Sequence, residues 1–138
     1  MLRGRFLTAM GIALAATLAG CSDPAGSDGR ITGEYTLRTV GGFAIPASPA
    51  PMHTIHSGSL ELRPGGRFAF TLDASVPGEG IGPSRRVATD EGTYTTNGNS
   101  ISLFYEDVTA NAVPVTGVVS GSTLMLAMAF GGTWVFVR

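Results

Sequence analysis

With 138 residues and 43% apolar content, the chain can form one cored domain, and it is short for two. Nine basic residues face ten acidic ones for a formal charge of −1, and no basic stripe is present, so nucleic acid is not an expected partner. One cysteine, Cys21, leaves no partner for an intramolecular disulfide.

The chain opens with Arg3 and Arg5, followed by an apolar stretch of 13 residues, 6–18. A transmembrane helix needs roughly 20 apolar residues to cross the hydrocarbon core, so this stretch is too short. A charged start, a short apolar run and small residues at the boundary are the marks of a secretory signal peptide. Its end, Leu18-Ala19-Gly20-Cys21, resembles the lipobox of bacterial lipoproteins. The resemblance implies removal of residues 1–20 and lipidation of Cys21, which becomes the new N-terminus. Two or three acyl chains anchor a protein stably, whereas one does so only marginally. Ser22, where aspartate would stand in an inner-membrane sorting signal, implies the outer membrane, facing the periplasm. Residues 22–30, SDPAGSDGR, are polar, Gly- and Pro-containing and without apolar periodicity, and read as a flexible tether. Together with Cys21 they form the lipidated linker 21–30, and residues 31–138 form the domain. Beyond residue 20 the chain carries seven arginines against ten acidic residues, a net charge of −3.

From Gly33 onward, short runs rich in apolar residues and threonine alternate with Gly, Asn and Pro. No helical stripe interrupts them. An opening strand is expected over 33–40, with a short piece near 43–45. Leu60 and Leu62 alternate with Glu61 and Arg63, turn at Pro64-Gly65-Gly66, and return through Phe68, Phe70 and Leu72. A piece at 85–89 precedes Gly92-Thr93-Tyr94-Thr95-Thr96, which turns at Asn97-Gly98-Asn99 and returns through Ile101, Leu103 and Tyr105. Two further hairpins turn at Ser120-Gly121-Ser122 and at Gly131-Gly132. The fold class is therefore all-β, an antiparallel up-and-down meander of about eight strands. Nearest-neighbour hairpins favour a closed or nearly closed barrel over the alternative, a two-sheet β-sandwich. Residues 124–130 are apolar on both faces of their strand, and burial of the outer face by the Pro-rich segment is expected.

The order of these hairpins carries a resemblance. Gly33-Glu34-Tyr35-Thr36-Leu37, then Gly58-Ser59-Leu60-Glu61-Leu62-Arg63-Pro64-Gly65-Gly66-Arg67-Phe68, then Gly92-Thr93-Tyr94-Thr95-Thr96-Asn97-Gly98-Asn99-Ser100-Ile101, and a final aromatic strand are similar to small lipocalin-like bacterial lipoproteins. The likeness covers nearly all of residues 31–138 and implies a lipocalin-like barrel. Tyr35 stands where the family's opening Gly-x-Trp has tryptophan. No ligand residues carry over, and fold likeness does not license a function.

Chemistry is sparse. His53 and His56 are the only histidines. The flanking prolines place them in loop or extended structure, and a spacing of three puts them on opposite faces of a strand. A metal site needs three or four ligands, so no metal is expected, and no cofactor either. The acidic pairs Asp90-Glu91 and Glu106-Asp107 point to opposite faces if extended, and no serine sits in a Gly-x-Ser-x-Gly elbow. Catalytic residues are not expected, and the chain reads as a non-enzyme. Tyr35, Tyr94, Tyr105 and Trp134 are candidates to line a barrel mouth, with Arg85 or Arg86 offering a charge and residues 75–84 a gating loop. The expected function is a membrane-tethered envelope protein that binds a small apolar or amphipathic ligand. The alternative is a protein–protein interaction or inhibitor module, suggested by residues 124–130.

Overall fold

A computed structural model of the chain describes residues 31–80, 82–107 and 113–138. The expected signal peptide, lipidation site Cys21 and tether, residues 1–30, lie outside the described residues. Ten strands follow one another: β1 Gly33–Val40, β2 Phe43–Ala44, β3 Ala47–Ala50, β4 His53–Arg63, β5 Arg67–Pro77, β6 Pro83–Asn97, β7 Ser100–Tyr105, β8 Val115–Ser120, β9 Thr123–Met128 and β10 Gly132–Val137. All pairings are antiparallel, and β4 through β10 pair with their neighbours in sequence order.

The sheet closes because β1 pairs on both sides. Thr36 to Val40 lie against Val137 to Trp134 of β10, while Gly33 to Thr36 lie against Leu62 to Ser59 of β4. The result is an eight-stranded barrel, β1-β4-β5-β6-β7-β8-β9-β10, and the sandwich alternative falls because one sheet closes on itself. Above Thr36, β1 and β4 separate. There β2 pairs with the end of β1 and β3 with the start of β4, so the two extra strands occupy the gap between the diverging walls.

An eight-stranded barrel is just wide enough for side chains to fill. The inward row includes Tyr35, Leu37, Leu60, Leu62, Phe68, Phe70, Ile101, Leu103, Leu124, Leu126, Trp134 and Phe136, all buried. Phe70 packs on Phe136 with ring centroids 6.1 Å apart and on Trp134 at 6.2 Å. Each fully buried side chain of this size contributes about 1.5–3 kcal/mol, so this layered core is the main source of stability. No charged side chain is buried among the described residues, and no buried side-chain polar atom lacks a partner. Tyr35 donates to the carbonyl of Ile31 at 2.7 Å, and Tyr94 donates to that of Arg63 at 2.9 Å.

The turns explain the register. Gly41 and Gly42 have φ of 57° and 86°, the mirror-image turn that matches strand twist in a two-residue hairpin. Asn97 pairs directly with Ser100, so the expected Asn-Gly turn is in fact the loop Gly98-Asn99, with φ of 60° at Gly98 alone.

Four expectations need correction. The pieces at 85–89 and 92–96 are one strand, β6, because Gly92 is an inward position within the ladder and not a turn. The histidine region is strand rather than loop: Ala47 pairs with Ile55 and Ala50 with His53, with Pro51 in the turn between them. Proline fits here because β3 is an edge strand of the sheet. Half of the expected gating loop, residues 75–77 and 83–84, is ladder, paired as far as Pro77 with Pro83. Finally, the Pro-rich segment is committed to β3 and does not cover the outer face of β9, where Met125 and Ala127 are exposed.

Candidate functional site

Because β1 and β4 diverge above Thr36, one end of the barrel is not filled by the inward rows. A cavity of about 180 Å3 sits there, lined by Ile55, Leu72, Ala74, Val76, Phe130 and Trp134, with His53, Thr54 and Ser75 completing it. Leu72, Ala74 and Val76 come from the inward face of β5, where alternation has placed Phe68 and Phe70 below them. Ala74 is the small member of an otherwise bulky row, and it lies directly opposite Ile55 of β4. Trp134 enters from β10, its indole N–H donated to the carbonyl of Phe130 at 2.9 Å. The Phe130 ring meets the His53 imidazole with centroids 5.2 Å apart. His53 Nδ1 lies 2.9 Å from the carbonyl of Pro51, so in the neutral ring Nδ1 carries the proton and donates, which leaves Nε2 as an acceptor.

Size and lining set what the cavity can hold. An apolar protein cavity of about 150 Å3 stays dry and binds benzene. Pockets for drug-sized ligands are about 300–1,000 Å3. The present cavity fits a single ring or a short alkyl segment. No charged side chain lines it. The filled interior below leaves no room for a deep lumen.

Of the six side chains named from sequence for a barrel mouth, only Trp134 lines this cavity. Tyr35 and Tyr94 are buried toward the opposite end of the barrel, where their hydroxyls tie the chain near Ile31 and Arg63. Arg138 stands over the Tyr35 ring at 5.5 Å and donates to the carbonyl of Thr32 at 3.0 Å. Burial raises the Tyr35 hydroxyl above its ordinary pKa, with the Arg138 charge acting in the opposite direction. Tyr105 packs edge-on against Phe68 at 5.1 Å, and burial, helped by the Asp90 carboxylate, pushes its hydroxyl up to about 12. Arg85 grips Asp73 with both its Nε, at 2.9 Å, and Nη2, at 2.7 Å. That bidentate bond holds the Asp73 carboxyl below the usual carboxylate range. Arg86 is exposed and lies opposite Ala74 in the β5–β6 ladder.

His56 is the extra residue of a bulge in β4, and its Nε2 meets Ser75 Oγ at 2.8 Å. A serine paired with histidine needs a third group to orient the ring before it becomes a nucleophile. Asp73 is the nearest carboxylate in the ladder, and both of its oxygens are engaged by Arg85. No group of three or more His, Cys, Asp or Glu side chains is placed to hold a metal among the described residues. Nor is any helix there long and apolar enough to cross a membrane, which does not bear on strands.

Sequence reasoning did not place His53, Ile55, Ala74 or Phe130 at a ligand cavity. The available signal was the small alanine within the inward row Phe68, Phe70, Leu72, Ala74, Val76. Comparison with protein families finds no matching family model, and comparison with curated proteins finds no matching relative.

Proposed function

We propose that the protein is a lipid-anchored, lipocalin-like barrel of the bacterial cell envelope. It is held through Cys21, facing the periplasm from the outer membrane, and acts as a binding module rather than an enzyme. Its ligand is a small apolar molecule or the apolar end of an amphipathic one, received at the end of the barrel where β1 and β4 separate. The observation that carries this reading is the 180 Å3 cavity bounded by Ile55, Leu72, Ala74, Val76, Phe130 and Trp134. The lipobox-like run before Cys21 supports the anchor.

Trp134 is the chain's only tryptophan, so it reports on the cavity without interference. Titration with toluene and with a medium-chain fatty acid should change its fluorescence and raise the thermal midpoint. Ala74→Leu, which fills the space, should abolish both responses while leaving the fold intact. A wild-type protein that responds to neither probe rules out the binding function. Separately, incorporation of a labelled palmitate analogue should be lost in Cys21→Ser, and its absence in the wild type rules out the anchor.

One observation favours the second reading, a protein–protein or inhibitor module. The outer face of β7 to β10 carries a groove of about 520 Å3 whose lining includes Val118, Met125, Ala127 and Thr133. Under that reading Met125→Asp releases an envelope partner without changing the response of Trp134.

A further inference from the structure

Among the described residues, each polar side-chain atom around the cavity has a protein partner except one. The Trp134 indole N–H is donated to the carbonyl of Phe130. The Thr54 hydroxyl meets Ser48 Oγ at 3.1 Å, and Ser75 Oγ meets Nε2 of His56 at 2.8 Å. Nδ1 of His53 is held at the carbonyl of Pro51, 2.9 Å away. Nε2 of His53 is left with no partner among the described residues.

The ladder places that nitrogen on the cavity side. Alternation along β4 puts His53 on the same face as Ile55, which is buried in the cavity wall opposite Ala74. Thr54 falls on the other face, opposite Ser75. Two contacts then fix the imidazole: the bond from Nδ1 to Pro51, and the Phe130 ring, 5.2 Å away and tilted by 48°. With its proton on Nδ1, the neutral ring presents a lone pair at Nε2. An acceptor already held in one orientation loses little freedom when a ligand bonds to it.

We propose that this lone pair selects the ligand. The ligand is a neutral molecule with one ring or a short alkyl chain and a hydroxyl group, as in a phenol. Its apolar body fills the cavity, and its O–H is donated to Nε2 of His53. Such a ligand presupposes the binding function proposed above and supplies the polar half of recognition. The volume of about 180 Å3 admits a single ring. Other heads fit less well. A hydrocarbon that displaces water from Nε2 leaves the lone pair unpaired, which is costly. An ionised carboxylate brings only lone pairs to a lone pair, so an amphipathic acid would enter by its alkyl end. An ammonium head would leave water with no carboxylate in the lining to receive it.

Phenol and toluene test the proposal, because they share size and shape and differ by a hydroxyl in place of a methyl. Both are titrated calorimetrically into the full chain at about pH 8, where free imidazole and phenol are neutral. His53→Phe keeps a ring beside Phe130 and removes the acceptor. It should weaken phenol binding by about tenfold, the equivalent of one hydrogen bond, and change toluene binding by less than about twofold. In wild-type protein carrying 15N in its two histidines, phenol should shift the Nε2 resonance of His53 and toluene should not. That readout stands even if the variant fails to fold. Phenol that binds without shifting this resonance, or binds His53→Phe as well as it binds the wild type, overturns the proposal and leaves an apolar binding cavity in place. Binding of toluene but not of phenol does the same. Failure of both ligands removes the proposal together with the binding function on which it rests.

Discussion

Trp134 reaches back four residues to donate its indole N–H to the carbonyl of Phe130, 2.9 Å away, and this bond closes the turn between β9 and β10 over the cavity. The two residues thus form one unit: the turn positions Phe130, and the indole holds the turn. Gly131 and Gly132, both at positive φ, make the reversal possible between them. Trp134→Phe keeps an aromatic ring in the core but removes the donor. A loss of about 0.5–1.5 kcal/mol is expected for a bond of this kind, together with weaker binding of the apolar probes. Urea unfolding of the two proteins measures the first effect. Unchanged stability would mean that the turn is held by its glycines alone.

Gly92, like Gly117, is a glycine whose replacement should be severely damaging. A β-carbon at Gly92 would run into the carbonyl of Phe104 and lie 2.7 Å from the Phe68 ring, in the interior of the barrel. Backbone on one side and a fully buried ring on the other leave nothing that moves cheaply. Gly92→Ala is expected to cost about 2–3 kcal/mol, at the upper end for overpacking. Gly98→Ala meets no atom within 4 Å and suffers only from a φ of 60°. Its cost is about 1 kcal/mol, the left-handed penalty less what alanine gains by restricting the unfolded chain. Thermal or denaturant unfolding of both variants should keep that order. The reverse order would show that the close contact at Gly92 relaxes.

The contrast between these glycines marks what was legible in the sequence. Alternation and turn chemistry identified β1, the hairpins at residues 64–66, 97–99 and 120–122, the last two to within a residue, and the closed meander, because each rests on local rules of period two and positive φ. Gly92 obeys neither rule. Between two strand-like pieces it resembles punctuation, and only the tertiary approach of Phe104 and Phe68 shows why it is glycine. The cavity was hidden for a related reason. It exists where β1 and β4 part, a feature of barrel closure between strands distant in sequence, and no local pattern encodes it. Tyr35 and Tyr94 were reasonable as mouth residues by type, yet their hydroxyls satisfy backbone carbonyls at the other end. Local sequence cannot distinguish an aromatic that lines a ligand space from one that caps a core.

Met52 is the single non-glycine residue with positive φ among those described, at 61°, in the turn after Pro51. Proline followed by a residue at positive φ is the pattern of a turn that favours glycine at the second position. Methionine there carries steric strain, while its side chain is 52% exposed and gains little from packing. Met52→Gly should therefore raise stability by about 1 kcal/mol, the relief of the left-handed strain less the extra freedom of glycine in the unfolded chain. Chemical denaturation gives the value directly. A loss of stability would show instead that the Met52 side chain contributes contacts at the rim that outweigh the strain.

Tyr105 makes the barrel sensitive to alkali. Its ordinary pKa of 10.0 rises to about 12 in the folded protein, chiefly because burial against Phe68 disfavours the phenolate. Tyr35 shifts in the same direction. Below pH 10 both folded and unfolded chains hold these protons, so stability does not depend on them. As pH rises past 10.0, the unfolded chain releases its Tyr105 proton while the folded one keeps it until about 12. The unfolded state then binds fewer protons than the folded state, and stability falls with pH. For half-buried Tyr105 the loss is about 1–2 kcal/mol after allowance for solvent screening. Unfolding free energies measured from neutral pH to about pH 12 should show this decline. Tyr105→Phe should flatten part of it and leave neutral stability nearly unchanged, because no hydrogen bond is made by the hydroxyl among the described residues. A variant with the same alkaline slope as the wild type would assign the effect to Tyr35 and place the Tyr105 hydroxyl in solvent.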